Sequence, residues 1–240
     1  MKSVLAMEQL PLAIGPRPRP TLQTFVVGDN GAAVAHLSTL PMPGAALYLW
    51  GQAGCGKSHL LFGLAARCLD QGQQVGWFAA NQALPWVLDP QWSLVVVDDC
   101  ERLGAAAQHA AFVLFNEAAS EGVQFAAAGA LPPVDLPLRE DLRTRLGWGH
   151  VFALQPLQEA QTRSALRQEA DRRGIFLSDE VMAYLMQRLP RDLGHLMLLL
   201  DKLDDFALAR GRRVTVPLVR QLLDSDPLPT PTSPQDTWTL

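Results

Sequence analysis

The sequence is short of several things, and each shortage excludes a class of protein. Cysteine occurs three times, at Cys55, Cys68 and Cys100, with no CxxC spacing. A disulfide scaffold is thereby excluded, and a reduced, cytoplasmic setting is expected. The histidines (His36, His59, His109, His150 and His195) are scattered and form no HExxH-type pattern, so zinc chemistry of that kind is not readable here. Cys55 and His59 lie four apart, but across a loop-to-helix junction that is poor ground for a metal pair. There is no basic excess. A net charge of -4 and a pI of about 5.7 argue against a chain that grips duplex DNA by itself. No stretch approaches the ~20 apolar residues of a membrane span. Glu8 interrupts what little apolar character the first residues have, which makes them a poor signal peptide. No internal repeat is visible.

What is present is ordinary globular material, 240 residues of which 48% are apolar, enough for one sizeable core and a smaller appended unit. Gly15-Pro16-Arg17-Pro18-Arg19-Pro20 is a stiff spacer that cannot be helix or central strand. The Pro-rich stretch from Pro227 to Pro234 reads as an unstructured tail. Between them, short apolar runs alternate with helical patterns. Strands are expected at 46–50, 75–79, 94–97, 124–128 and 151–154, with helices over 58–70 and 105–120. Leu94-Val95-Val96-Val97 is unbroken and apolar, as a strand buried on both faces must be. After about Pro156 only helices are expected, over 158–173, from Ser178 to Leu189, from Arg191 to about Arg210, and one ending near Leu223. The expected organisation is a flexible head (1–20), an α/β domain with a parallel sheet flanked by helices (21–156), a small all-helical lid (157–225) and a tail (226–240).

Two motifs carry chemistry. Gly51-Gln52-Ala53-Gly54-Cys55-Gly56-Lys57-Ser58 satisfies GxxxxGK[ST] in full, between a predicted strand and a predicted helix. In such a P-loop the glycines let backbone N–H groups turn toward phosphate oxygens. Lys57 would reach the β- and γ-phosphates, and the Ser58 hydroxyl would bind Mg2+. The helix that follows, with His59 in its first turn, offers its positive end to the same anion. Some forty residues on, Leu94-Val95-Val96-Val97-Asp98-Asp99 matches the Walker B pattern, a buried strand delivering acid at its carboxyl end. Asp98 would hold the metal, and Asp99 could orient or deprotonate the attacking water.

A P-loop, an Asp-Asp Walker B and a trailing helical lid resemble the AAA+ ATPases, and within them the DnaA group. Phe25-Val26-Val27-Gly28-Asp29-Asn30 resembles the stretch that helps enclose adenine there, which implies that Phe25 and Val26 lie beside the base. Gly129-Ala130-Leu131-Pro132-Pro133 falls where the family has its sensor 1 turn. Asp141 to Gly149 resembles the family's RLxSRxxWG box, whose final arginine, Arg145 here, is the arginine finger. Leu189-Pro190-Arg191-Asp192-Leu193 resembles the sensor 2 segment, with Arg191 as the nucleotide-sensing residue. The resemblance spans about Phe25 to Leu223. Regulatory members of the DnaA-related family lack the DNA-binding domain of DnaA and carry a short clamp-binding peptide near the N-terminus, and the chain resembles these. Gln9-Leu10-Pro11-Leu12 resembles that peptide, with Gln9 as hydrogen-bonding residue and Leu10 and Leu12 as apolar anchors. Pro11 takes the usual polar position, and Ala13 replaces a large apolar residue.

The resemblance implies a protein that binds ADP or ATP with Mg2+ and docks on the DNA polymerase sliding clamp. It would lend Arg145 to ATP bound by the replication initiator DnaA, preventing re-initiation. DNA contact is then indirect, through the clamp, and no membrane is involved. Head-to-tail interfaces of this kind also permit a homo-oligomer. One departure bears on chemistry: Ala130 stands where relatives carry a polar residue that positions water. With Asp99 in place of a longer Glu, weak or no intrinsic ATPase is expected. Three rivals predict different behaviour. An independent AAA+ ATPase such as a helicase loader hydrolyses ATP alone, though few basic residues here cluster with aromatics. A small-molecule kinase phosphorylates a metabolite under a shorter lid. A clamp adaptor with a purely structural nucleotide tolerates loss of Arg145.

Overall fold

The computed structural model describes residues 19–188, 192–210 and 214–225. They group into two compact units, one ending at Leu157 and the other starting at Gln158.

In the first unit five strands form a wholly parallel sheet: β1 (Leu47–Trp50), β2 (Gln74–Phe78), β3 (Trp92–Val97), β4 (Gln124–Gly129) and β5 (His150–Ala153). Their order is β2-β3-β4-β1-β5. Four helices accompany them: α1 (Gly31–Thr39), α2 (Lys57–Asp70), α3 (Ala105–Glu121) and α4 (Glu140–Leu146). Alternate strand residues feed two separate cores. Tyr48, Val95, Val97, Phe125 and Ala127 pack with Leu114 and Phe115 of α3. Leu47, Leu49, Leu94, Val96, Ala126 and Ala128 pack with Leu60, Leu61 and Leu64 of α2 and Leu37 of α1. A central strand covered on both faces has no solvent side on which to put polar residues, which accounts for the unbroken apolar run in β3. Because β1 lies inside the sheet with β4 and β5 as neighbours, the chain must leave its carboxyl end and cross over to reach β2. Such a reversal of strand order opens a crevice at the carboxyl edge, where ligands of open α/β sheets bind.

The five strands and helices α2 and α3 lie within a residue or two of where the apolar patterns put them. Helices α1 and α4 were not foreseen. The α1 sequence GAAVAHLST buries Ala33 and Leu37, too thin an apolar face to read as periodic. What holds it is remote in sequence: the Arg67 guanidinium of α2 donates to the carbonyls of Leu37, Ser38 and Leu40 at 2.6, 3.0 and 2.7 Å. Those are carbonyls that a helix end leaves without intrahelical partners.

The second unit contains α5 (Glu159–Arg172), α6 (Asp179–Arg188), α7 (Leu193–Arg210) and α8 (Val216–Ser225) around Leu166, Met182, Leu185, Leu196, Leu200 and Val219. The starts of α5 and α6 are written locally. Gln158 and Gln161 form a capping box at α5, and Ser178 Oγ accepts the Val181 N–H at 3.3 Å before the acidic Asp179 and Glu180 of α6. Among the described residues no helix is long and apolar enough to cross a membrane.

Glu169 of α5 anchors a small charge network. It accepts from Arg172 at 2.6 and 2.8 Å and from Arg173 at 2.7 Å, and Arg173 continues to Asp201 of α7. The Arg172 hydrogen bonds, with those of Arg173, hold the Glu169 carboxyl down at about 2, against an ordinary 4.5. Because the folded value is the lower one, the stabilisation is complete above the ordinary value and disappears as pH falls toward the folded value. Glu169→Gln is therefore expected to cost this unit about 1 kcal/mol at neutral pH, the pairs being partly solvated. In urea melts followed by circular dichroism, the gap to the parent should close between pH 4.5 and 2.

Candidate functional site

At the carboxyl end of β1 the chain passes through Gly51 to Gly56 and enters α2 at Lys57. The turn has no room for extra atoms. Gly56 has φ +98°, and a Cβ there would sit 2.5 Å from the Phe25 ring. A Cβ on Gly51 would lie 2.5 Å from the Leu154 carbonyl oxygen and 2.9 Å from Cys55 Sγ. Gly56 is the N-cap of α2 and supplies no side-chain cap, so backbone N–H groups of the first turn remain available to an anion. Lys57 is buried, and its Nζ donates to the carbonyls of Gly51 and Gln52 at 2.8 and 3.1 Å. Those bonds satisfy a charge that burial alone would make costly. Gln52, Ala53 and Gly54 form the exposed crest of the loop, while Cys55 points inward and is buried.

The Ser58 hydroxyl donates to Asp98 Oδ2 at 2.7 Å. That contact brings together the two sequence motifs, the start of α2 and the end of β3. Asp98 is 3% exposed, and its burial pushes the carboxyl upward in pKa. The hydrogen bonds from Ser58 and from the Asp99 N–H, the latter at 2.9 Å, oppose the rise. A hydroxyl beside a buried carboxylate is an oxygen donor set that suits a small hard cation completed by phosphate oxygens. Residues 51–58 and Asp98 therefore fit a nucleotide phosphate chain with Mg2+.

Asp99 stands differently. It is the single non-glycine residue of positive φ among the described residues, at 51°, a conformation Asp tolerates better than most. Its carboxylate faces Arg102 at 3.6 Å on the surface. The turn after β4 is held by two side chains that sequence reasoning passed over. Glu101 Oε2 accepts the Ala130 N–H at 3.0 Å, and the Tyr48 hydroxyl donates to the Leu131 carbonyl at 2.8 Å. Neither contact has a sequence signal, because an acid after a Walker B strand and a tyrosine within β1 look like surface and core. The methyl group of Ala130 itself offers no polar atom.

Phe25 is buried against Gly56 and meets the His59 ring edge-on at 5.4 Å, with Val26 half-buried next to it. His59 Nε2 lies 3.0 Å from the Thr21 carbonyl and 3.3 Å from Thr24 Oγ1, and burial lowers its pKa against the opposing pull of the Thr21 carbonyl. Asn30, part of the sequence motif but without a role there, has a clear one. It is 4% exposed, and its amide makes both bonds to the Gln155 backbone, donating at 2.9 Å and accepting at 2.7 Å. The segment from Phe25 to Asn30 is thus clamped to the P-loop at one end and to the strand exit of β5 at the other.

Arg145 is not part of this cluster. It projects from α4 with its guanidinium 3.9 Å from the centre of the Trp148 ring and 5.9 Å from that of Phe115. It lines a surface cleft with Phe112, Arg139, Asp141, Thr144 and Trp148, none of which belongs to the phosphate turn. Arg191, Gln9, Leu10 and Leu12 lie outside the described residues.

The packing of Gly56 gives a direct test. Gly56→Ala should cost about 2 kcal/mol or more, from left-handed backbone strain and the Phe25 contact together. Binding of a fluorescent ADP, read by anisotropy, should weaken at least about tenfold. An unchanged melting temperature with unchanged affinity would show the turn to be looser than described.

Residues 159–223 match the family model described as Hda, lid domain. Three solved structures share the architecture. Domain III of the Thermotoga maritima replication initiation protein DnaA is 21% identical with a TM-score of 0.70, covering 88% of this chain and 98% of that one. AMPPCP-bound DnaA from Aquifex aeolicus is 20% identical with a TM-score of 0.63, covering 82% and 68%. The Thermotoga maritima RuvB Holliday junction branch migration motor is 14% identical with a TM-score of 0.56, covering 85% and 68%. At such identities the structural likeness establishes the fold.

Proposed function

This chain is a Hda/DnaA-related AAA+ protein, and on that premise we propose that it regulates the initiation of DNA replication through the nucleotide of DnaA. It binds ADP or ATP on residues 51–59, with Phe25 and Val26 beside the adenine. Ser58 and Asp98 hold Mg2+, which when bound neutralises phosphate charge. Lys57 turns from the loop carbonyls to the phosphates, and Arg191 senses the nucleotide from the lid. Gln9, Leu10 and Leu12 dock on the sliding clamp as an extended peptide, so that contact with DNA is indirect.

One observation carries the reading: Arg145 stands on a face that includes none of the chain's own phosphate turn. A guanidinium so placed serves a nucleotide held by another molecule, here the ATP of DnaA, stabilising charge as the γ-phosphate departs. An arginine finger supplied in trans accelerates hydrolysis by roughly three to five orders of magnitude. The chain's own hydrolytic parts are the weaker ones. Asp99 faces Arg102, and Ala130 has no polar side-chain atom with which to hold water. The Hda-type lid, and the AMPPCP held by DnaA from Aquifex aeolicus, agree with adenine nucleotide binding and a DnaA-centred role.

The test is turnover of ATP prebound to DnaA, in the presence of the ADP-loaded protein and clamp assembled on DNA. The expected outcome is stimulation that requires the clamp and falls at least about a hundredfold in Arg145→Ala. Steady ATP turnover by this chain alone, with no effect on DnaA, would instead mark an independent ATPase and end the reading.

A further inference from the structure

Helix α4 carries Arg143 and Arg145 in its last turn, and the surroundings of Arg145 are specific. Arg139, just before the helix, is tied to Asp141 at 2.7 Å. Among the described residues no carboxylate pairs with the Arg145 guanidinium, which lies instead on the indole of Trp148 at 3.9 Å from its centre. Trp148 is itself 65% exposed, so the ring and the guanidinium it carries are both presented at the surface. The backbone N–H of Trp148 donates to the Arg145 carbonyl at 3.1 Å, within the turn that closes α4. That turn brings the two side chains within reach of each other, and the ring already lies against the guanidinium in the isolated chain.

We propose that Trp148 is the positioning residue for Arg145: its indole face holds the guanidinium in the pose that meets the partner's γ-phosphate. This rests on the trans-activation reading above and deepens it. An aromatic face attracts a guanidinium without neutralising it and without occupying its N–H donors, which lie at the edge of the plane. A carboxylate would hold the side chain equally well but would cancel the charge the transition state needs. Prior ordering also removes rotamer freedom that a long side chain would otherwise lose at the moment of reaction. The tryptophan thus acts on the rate of the bound complex, through Arg145.

The experiment compares Trp148→Leu, Trp148→Phe, Arg145→Ala and the parent in the clamp-dependent hydrolysis of DnaA-bound ATP, each titrated to saturation. Because Trp148 is exposed, the variants should keep the parent's melting temperature, which is checked first. Trp148→Leu is expected to lower the saturated rate about tenfold while the half-saturating concentration changes less than about twofold. Trp148→Phe, which keeps an aromatic face, should recover most of the rate. Independently of activity, the Arg145 side-chain Cδ protons should be shifted upfield by the ring in the parent NMR spectrum and return to ordinary values in Trp148→Leu. A raised half-saturating concentration with full saturated rate would make Trp148 a docking contact and overturn the proposal. If Arg145→Ala abolishes stimulation and Trp148→Leu matches the parent throughout, the proposal fails and the trans-activation reading survives. If Arg145→Ala is silent, both fall.

Discussion

The structure turns on the crowding around one loop. Between β1 and α2 the chain has to curl tightly enough for backbone N–H groups to converge, and neighbours press on it from outside. Phe25 occupies the space over Gly56, the Leu154 carbonyl occupies the space over Gly51, and Cys55 fills the inside. These contacts come from segments before and well after the loop, so the loop's shape is imposed by the packed unit as much as by its glycines. Asn30 extends the constraint by fixing Gln155, just past β5, to the entry of α1 through a two-bond amide contact. Loosening any of these pieces changes the geometry offered to a phosphate.

The two halves of the site are built to different standards. The half that fits a phosphate chain is closely built, with a tight glycine-bearing turn, a buried lysine satisfied by loop carbonyls, and a direct Ser58 to Asp98 hydrogen bond. The half that would direct a water molecule is sparse. Asp99 faces a surface arginine, and at Ala130 only the backbone is engaged, by Glu101. In the proposed reading, a site that holds a nucleotide firmly and turns it over slowly suits a protein whose reactive arginine serves a partner. On that reading the arginine stands apart on α4 with its charge intact, supported by an aromatic face.

The lid follows a simpler logic. Helices α5 and α6 begin at local caps, and the interior is an apolar cluster dominated by leucines, methionines and valines. Its main specific polar element is the Glu169 network, which ties α5 to α7 through Arg173 and Asp201. Local capping and periodic apolar faces are features that a sequence displays openly, which is why these helices were legible.

Sequence by itself determined the alternation of strands and helices, the P-loop, the Walker B acids and the arginine-bearing box. Each is a contiguous pattern whose physics is local: burial on two faces, a glycine-bearing turn, acid at a strand end. Tertiary structure alone decided the rest. The end of helix α1 is capped by Arg67 from another helix, and the turn after β4 is held by Tyr48 of β1 and by Glu101 from the turn that follows β3. Asn30 acquires a role only when Gln155 lies beside it, 125 residues away. Arg145 acquires its aromatic neighbour only once the chain has folded Trp148 against its guanidinium. Hydrogen bonds and stacking contacts are short-ranged and directional, and which groups come within their reach is settled by how the sheet and helices pack.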